Sequence, residues 1–235
     1  MADKKALRIQ TSVLNAAEKK VLVWLADRQP SWVVSDTLTV IGILGAVMIA
    51  AGFILCASNV NWLWLAIAGF FINWYGDSLD GTLARVRNTQ RPVYGYYLDH
   101  TVDCINEMIM FVGIGLSPFM RLDLSLALLV LYLCLTVNVS MNAHLKSEFQ
   151  LTYFKLGPTE FRIVACILIL LLIFITPLRE YHTSVGIFGK DVALGCLDIA
   201  GIVILALLLT IYIITICKDA RGYAKLDPLP KKKEE

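Results

Sequence analysis

The sequence predicts an all-α integral membrane protein with six transmembrane helices and an N-terminal amphipathic helix on the membrane surface. Of its 235 residues, 57% are hydrophobic and only 17% are charged, whereas about a quarter of a soluble domain is charged. The charged residues are separated by apolar runs close to the ~20 residues that a helix needs to cross a bilayer. Because these runs do not alternate with polar residues, membrane-spanning strands are excluded. The composition also excludes a disordered chain and argues against a soluble enzyme, and a net charge of +2 gives no support for nucleic-acid binding.

The first element is expected in the N-terminal segment, residues 1–35. Apolar residues recur at helical spacing between positions 13 and 28, and charged residues occupy the rest of the helical wheel. The apolar positions are Val13, Leu14, Ala17, Val21, Trp24 and Leu25. This pattern predicts a helix that lies on the cytoplasmic surface of the membrane; an ordinary helix packed against the protein is the alternative. No short apolar core with a small-residue cleavage site occurs here, so we expect no secretory signal peptide.

The six transmembrane helices are expected within residues 36–217. No charged residue lies between Asp36 and Asp77, and this run is long enough for two spans with a turn near Asn59. Further charge-poor runs provide the other four. The predicted spans are 37–57, 62–80, 95–117, 123–143, 159–177 and 193–217. Residues 218–235 contain two prolines and several lysines, which predicts a mobile cytoplasmic tail.

Lysine and arginine positions predict the orientation. Eighteen of the 21 lie in the N-terminal segment, in the connections after the second and fourth predicted spans, and in the tail. The positive-inside rule therefore places both termini in the cytoplasm. We expect a multi-pass protein, in a bacterial cytoplasmic membrane rather than in an organelle membrane.

Carboxylates are concentrated where the second and third predicted spans meet the cytoplasm. Asp77 and Asp80 end the second span, Asp99 and Asp103 begin the third, and Glu107 follows one turn later. Spacings of three and four residues put each aspartate pair on one face of its helix. A charge inside a membrane helix costs several kcal/mol, so such residues indicate function. Both pairs can converge at the cytoplasmic end of the protein.

Four converging carboxylates repel one another and need a positive counter-charge. Oxygen ligands favour Mg²⁺, Mn²⁺ or Ca²⁺, and a two-ion site can hold the attacking and leaving oxygens of a phosphoryl displacement. The neighbouring residues fit that use: Gly81 allows a close backbone approach, Arg85 suits phosphate, and Gly95 leaves room for a ligand. Two alternatives are a divalent-cation transporter and a set of acids solvated at helix ends. Neither requires these neighbours at these spacings.

The same segment contains a recognisable pattern. Residues 77–103 read D-x2-D-G-x2-A-R, nine residues, then G-x3-D-x3-D. This resembles the signature of the CDP-alcohol phosphotransferase family, also called CDP-alcohol phosphatidyltransferases, with all eight fixed positions present. Residues 30–39 are similar to the segment of the family that leads into the first span.

The resemblance implies a metal-dependent enzyme of phospholipid biosynthesis. It would transfer a substituted phosphate from a CDP-linked donor, CDP-diacylglycerol or a CDP-headgroup, to an alcohol and release CMP, with two Mg²⁺ or Mn²⁺ ions as cofactors. It would also form a homodimer, and Asp103 would remove the proton of the alcohol. The implied metal ligands are Asp77, Asp80, Asp99 and Asp103. The implied CDP-binding residues are Gly81, Ala84, Arg85 and Gly95, with Asp36 and Thr39 as weaker candidates.

Which substrate carries the lipid stays open between two branches of the family. His100, in the sequence Asp-His-Thr-Val-Asp, and Glu160, in a Thr-Glu pair, resemble the choline/ethanolamine branch, where they are implicated in proton removal from a lipid alcohol. That branch usually has more spans than this chain. Lys146 and Arg162 resemble basic residues that hold a phosphorylated polar acceptor in the CDP-diacylglycerol branch. As an alternative, these two charges face lipid headgroups.

Overall fold

The computed structural model describes residues 7–9, 15–146, 148–150, 158–187 and 190–229, and most of them are helical. The α-helices are α1 (Asn15–Asp27), α2 (Ser35–Leu55), α3 (Leu63–Val86), α4 (Pro92–Gly115), α5 (Leu122–Lys146), α6 (Pro158–Phe174), α7 (Thr176–Arg179) and α8 (Cys196–Leu226). A short 3₁₀ turn, Val60–Trp62, joins α2 to α3. Helices α2 to α6 and α8 occupy the positions of the six predicted spans, with shifted ends.

Three of these helices are long and apolar enough to cross a membrane: α2, residues 122–143 of α5, and α8. The chain is therefore a membrane protein. Helix α6 has 17 residues, the lower limit of the roughly 17–25 that a bilayer requires, and α3 and α4 carry the predicted acids. The count of six spans stays a prediction.

Strands occur where the sequence predicted none. β1 (Leu7–Ile9) pairs in parallel with β2 (Glu148–Gln150). β3 (His182–Ile187) and β4 (Lys190–Gly195) form an antiparallel hairpin between α7 and α8. The sixth span, predicted at roughly 193–217, therefore starts about three residues later, at Cys196, and its helix continues to Leu226, into the segment predicted as a mobile tail.

Helices α2 and α3 pack at very short distance because glycines line their interface. A Cβ atom at Gly76 would overlap the backbone of Leu38 and Gly42. The Asn73 side-chain amide donates to the Gly42 carbonyl oxygen at 3.0 Å. Small residues with such interhelical hydrogen bonds are typical of tightly packed membrane helices. Asp77 directly follows Gly76 in α3, so this packing fixes the position of Asp77 relative to α2.

The connection between α3 and α4 has a defined geometry. Asn88 adopts a left-handed conformation with φ 55°. The Thr89 amide donates to the Ala84 carbonyl at 2.9 Å and the Asn88 amide to the Arg85 carbonyl at 3.3 Å, which is a Schellman ending. Pro92 then starts α4 in the first turn, where its missing N–H is tolerated. The chain thus reverses between the two halves of the motif.

Helix α1 covers Asn15–Asp27, and Val13 and Leu14, at the start of the expected helix, lie outside the described residues. Leu22 and Ala26 are buried in a cluster that includes Leu79 and Leu83 of α3. Trp24, on another side of the helix, is 54% exposed. The helix therefore packs on the protein through one apolar side, and its position on the membrane surface stays a prediction.

Candidate active site

Three carboxylates meet where α3 and α4 approach each other. One oxygen each of Asp77, Asp99 and Asp103 lies within 4.8 Å of the other two. Mg²⁺ and Ca²⁺ bind oxygens at about 2.0–2.6 Å, so two ligand atoms of one ion lie up to about 5 Å apart. The three oxygens therefore fit a single hard cation. Asp77 and Asp103 are half-buried and Asp99 is exposed, which leaves the group open on one side.

Asp80, the fourth predicted ligand, is not part of that three-residue group, so the expected convergence of four carboxylates is reduced to three. Its Oδ2 accepts a hydrogen bond from the Thr39 hydroxyl at 2.8 Å, and its Oδ1 accepts from the Gly81 amide at 2.5 Å. The Ser35 hydroxyl donates to the Asp80 backbone carbonyl at 3.0 Å. Asp80 still lies close enough to interact electrostatically with Asp77 and Asp99. Helix α2 therefore sets the orientation of this carboxylate.

Arg162 of α6 joins the acidic cluster. Its Nη2 lies 2.5 Å from Oδ2 of Asp77, and the side chains are only 17% and 23% exposed, respectively. The sequence suggested a phosphate of the acceptor as the partner of Arg162, whereas here the partner is a carboxylate of the predicted metal site. Lys146, the other residue of that suggestion, ends α5, and its side chain lies outside the described residues.

The predicted proton-transfer residues lie on two helices. His100 is on α4, with Nδ1 3.0 Å from the Tyr96 carbonyl oxygen and its ring 4.1 Å from the Tyr96 ring. A carbonyl oxygen only accepts, so this contact requires the proton on Nδ1 and makes Nε2 the basic nitrogen of the neutral ring. Oδ2 of Asp99 lies 3.7 Å from the same Nδ1. Glu160 lies in the first turn of α6 and is 9% exposed.

The remaining predicted CDP-binding residues lie on α2, α3 and α4, the helices that also carry the acidic residues of the motif or contact them. Arg85 donates to the Thr82 hydroxyl at 2.9 Å, and Ala84 is half-buried beside it. A Cβ at Gly95 would meet no atom of the described residues within 4 Å, so that part of the structure leaves space beside the start of α4. Asp36 accepts a hydrogen bond from the Tyr94 hydroxyl at 3.1 Å, which ties α2 to α4 near this space.

Several polar residues near the site were not assigned a role by the sequence. Glu18 of α1 contacts Trp74 of α3 and Thr159 of α6. Asn106 Oδ1 and Glu107 Oε2 are buried without a hydrogen-bond partner among the described residues. The four-residue spacing placed Glu107 one turn beyond Asp103 on α4. Sequence spacing cannot reveal contacts between residues that are far apart in the chain. For Glu18 the only signal was an acid on the polar side of an amphipathic helix.

Comparison with known proteins agrees with this geometry. Residues 32–217 match the family model described as CDP-alcohol phosphatidyltransferase. The chain belongs to this family. The family assigned from the motif in residues 77–103 is thereby confirmed, and the divalent-cation transporter is left without support.

One relative carries a more specific name. The chain is 30% identical over 105 residues to cholinephosphotransferase 1 of Xenopus laevis, an alignment that covers 42% of this chain and 25% of that protein. The chain thus covers only a quarter of the length of this relative.

Proposed function

We propose that this protein is a metal-dependent CDP-alcohol phosphotransferase of phospholipid biosynthesis. The observation that carries the proposal is the meeting of Asp77, Asp99 and Asp103 within 4.8 Å, in a chain whose residues 32–217 match the phosphatidyltransferase family. In the reaction, the alcohol oxygen attacks the phosphorus distal to cytidine. The bond from that phosphorus to the bridging oxygen breaks, and CMP leaves with the electron pair.

The donor set fits a divalent cation. Carboxylate oxygens are the ligands that Mg²⁺ and Mn²⁺ prefer, and Asp77, Asp99 and Asp103 would hold the ion, with Asp80 as a further ligand. When bound, the ion supplies positive charge that offsets the charge of the diphosphate. The resemblance implies two ions, for which Asp80, held by Thr39, would supply a further carboxylate.

The chain's own residues would position the donor. Thr39 and Gly81 hold the Asp80 carboxylate, and Arg162 neutralises part of the charge on Asp77. The guanidinium of Arg85 suits a phosphate oxygen, and the start of α4 at Gly95 leaves room for a ligand. We therefore assign the cytidine and phosphate groups to the space bounded by Gly81, Ala84, Arg85 and Gly95, with Asp36 at its edge.

The proton of the alcohol needs an acceptor, and we assign that role to Asp103. Its carboxylate lies in the three-residue group and is half-buried. His100 is the second candidate, because its Nδ1 contact with Tyr96 makes Nε2 the basic nitrogen. Glu160 would then accept the proton from His100 or orient the imidazole ring.

A choline/ethanolamine-type enzyme with a lipid alcohol as acceptor is the second candidate function. The relative named cholinephosphotransferase 1 and the Asp99-His100 pair favour it. Arg162 also favours it indirectly, because its guanidinium faces Asp77 rather than a site for a phosphorylated acceptor. The CDP-diacylglycerol branch keeps the support of Lys146, whose position at the end of α5 is cytoplasmic in the predicted topology.

A matrix of donors and acceptors tests both functions. Purified protein in detergent would receive CDP-diacylglycerol, CDP-choline or CDP-ethanolamine, each with diacylglycerol, inositol phosphate, glycerol phosphate or serine, and CMP release would be measured. CMP release with a lipid alcohol and a CDP-headgroup supports the choline/ethanolamine type. Release with CDP-diacylglycerol and a polar alcohol supports the other branch. Absence of CMP release from every pair, with folded protein and Mg²⁺ or Mn²⁺ present, contradicts the proposal.

We also propose the organisation expected from the sequence, with one change: a cytoplasmic segment 1–35, a six-helix catalytic unit 36–217, and a cytoplasmic tail 218–235 whose residues up to Leu226 continue α8. The site would face the cytoplasm of a bacterial cell, and two copies would associate in the membrane. Tags at both ends would be equally accessible in oriented vesicles, whereas protection of one tag alone would contradict six spans. Crosslinking in native membranes would test the homodimer.

A further inference from the structure

We propose that Glu18 is a positioning residue for the phosphotransfer reaction: its carboxylate holds the first turn of α6 against α3, beside the acidic cluster. The inference rests on the proposed function. It assigns to α1, a helix outside the motif, the role of positioning α6 for the reaction.

The geometry of Glu18 links three helices through one oxygen atom. Its Oε1 accepts a hydrogen bond from the Trp74 indole Nε1–H at 2.8 Å and another from the Thr159 hydroxyl at 2.5 Å. Trp74 precedes Asp77 by three residues on α3, and Thr159 precedes Arg162 by three residues on α6. Glu18 therefore joins the two helices that also carry the Arg162–Asp77 ion pair.

Helix α1 is itself held in place by packing against α3. Leu22 and Ala26 are 7% and 2% exposed and pack with Leu79 and Leu83 of α3. Because Leu22 lies one turn beyond Glu18, the carboxylate is held next to a packed segment rather than on a free end. An Oε1 atom has two lone pairs and can accept from two donors at once, so Glu18 is well suited to hold both the Trp74 indole and the Thr159 hydroxyl.

Helix α6 is held in different ways along its length. Ile169 and Leu172 in its second half are almost fully buried in the apolar cluster near Phe53. The first turn instead makes the polar contacts of Thr159 with Glu18 and of Arg162 with Asp77. Loss of the Glu18 contact would leave the packed half of α6 in place but allow the first turn to shift. Glu160 and Arg162 would shift with it.

The first test compares Glu18→Ala with Glu18→Gln in the full-length protein. Alanine removes both hydrogen bonds, whereas glutamine keeps an oxygen that can accept them. Asp27→Ala, an exposed acid at the end of the same helix, is the matched control. The readouts are kcat and KM for CMP release, with the donor and acceptor pair that the wild-type protein uses, and hydrogen exchange of the α6 amides in residues 158–163.

We expect Glu18→Ala to lower kcat roughly 10-fold or more, because a small displacement of a catalytic group is costly, and to change KM of the donor much less. Exchange in 158–163 should become faster, and Glu18→Gln and Asp27→Ala should behave like wild type. Thr159→Val should reproduce the Glu18→Ala effect, and the double variant should be no worse than either single variant.

Unchanged exchange in 158–163 for Glu18→Ala would overturn the inference whether or not the protein has activity. So would a Glu18→Gln variant as impaired as Glu18→Ala, because the role would then depend on charge and not on the two contacts. A lower yield of folded Glu18→Ala protein, with an unchanged kcat per folded molecule, would show a purely structural role. That result would also overturn the inference. Absence of CMP release from the wild type would contradict the proposed function only. The hydrogen-exchange comparison would still test whether Glu18 holds the start of α6.

Discussion

Arg162 of α6 and Asp77 of α3 form an ion pair with 2.5 Å between Nη2 and Oδ2, and both side chains are largely removed from solvent. Removing one partner of such a pair leaves an uncompensated charge at low exposure. The pair also places one guanidinium against a group of three carboxylates. It therefore links the position of α6 directly to the charge balance of the predicted metal site.

Arg162→Gln should lower CMP release by about 10²-fold, because the cluster loses its guanidinium and Asp77 loses its partner. Arg162→Lys should retain part of the activity, since it keeps the charge without the planar fork. Arg179→Gln is the control: this arginine contacts the Leu172 and Ile173 carbonyl oxygens at the other end of α6. Equal activities of Arg162→Gln and Arg179→Gln would contradict a role of Arg162 in the site.

Chelation of divalent cations should abolish turnover, and added Mg²⁺ or Mn²⁺ should restore it. Mn²⁺ binding to the protein, measured by electron paramagnetic resonance, should weaken at least 10-fold in Asp99→Asn, because one of three converging oxygens loses its charge. Asp123→Asn, a change at an exposed acid paired with Arg121, should bind Mn²⁺ like wild type. Full turnover after exhaustive chelation would rule out the metal mechanism.

Thr39→Val should impair the enzyme although Thr39 lies outside the motif. Its hydroxyl donates to Asp80 Oδ2 at 2.8 Å, so valine frees the carboxylate to rotate. We expect turnover to fall several-fold, with a change in Mn²⁺ affinity. Thr210→Val is a matched control, because among the described residues that hydroxyl bonds to the Ala206 carbonyl within its own helix, α8. If both variants match wild type in turnover and Mn²⁺ affinity, the orientation of Asp80 is unimportant.

Gly76→Ala should destabilise the protein. The added Cβ would overlap the backbone of Leu38 and Gly42, and overpacking of this kind costs about 1–3 kcal/mol. The melting temperature in detergent should therefore fall by several degrees. The Cβ of Gly222→Ala in α8 meets no atom within 4 Å in the described part of the chain, so this change should be neutral or slightly stabilising, since alanine favours helix. A Gly76→Ala variant that melts like wild type would mean that α2 and α3 can separate without cost.

The sequence predicted α2 to α6 and α8 because each lies largely in a charge-poor apolar run, and the motif placed Asp77, Asp99 and Asp103 on the correct helices. The spacing of Asp77 and Asp80 also predicted that both carboxylates point to one site. It could not show that Thr39, 41 residues away, holds one of them. A hydrogen bond between side chains of two different helices produces no periodic pattern in the sequence.

The same reason explains the missed contacts of α6. Arg162 is 85 residues from Asp77 in sequence, so its partner depends on how α6 packs on α3. The hairpin of β3 and β4 was missed for another reason. Its strands are short and lie beside a long apolar run, so that run was extended into Ala193–Gly195, which belong to β4.

The last prediction separates the two candidates for proton removal. Asp103 lies in the group of three carboxylates, whereas His100 on the same helix contacts the Tyr96 carbonyl and Glu160 is buried in the first turn of α6. Removing a general base typically costs about 10²–10⁴ in rate, and Asp103 is also a predicted metal ligand. Asp103→Asn should therefore abolish detectable CMP release, while Mn²⁺ binding partly survives through Asp77 and Asp99.

If Asp103 is the base, His100→Ala and Glu160→Gln should each lower kcat only mildly, with a pH–rate profile like that of wild type. A loss of about 10²-fold or more in these two variants, with Mn²⁺ binding intact, would instead assign proton removal to His100 and Glu160. Loss of the limb of the pH–rate profile near neutral pH in His100→Ala would support the same conclusion, since histidine titrates there. The acceptor would then be a lipid alcohol, because this pair is the feature that the chain shares with the choline/ethanolamine branch.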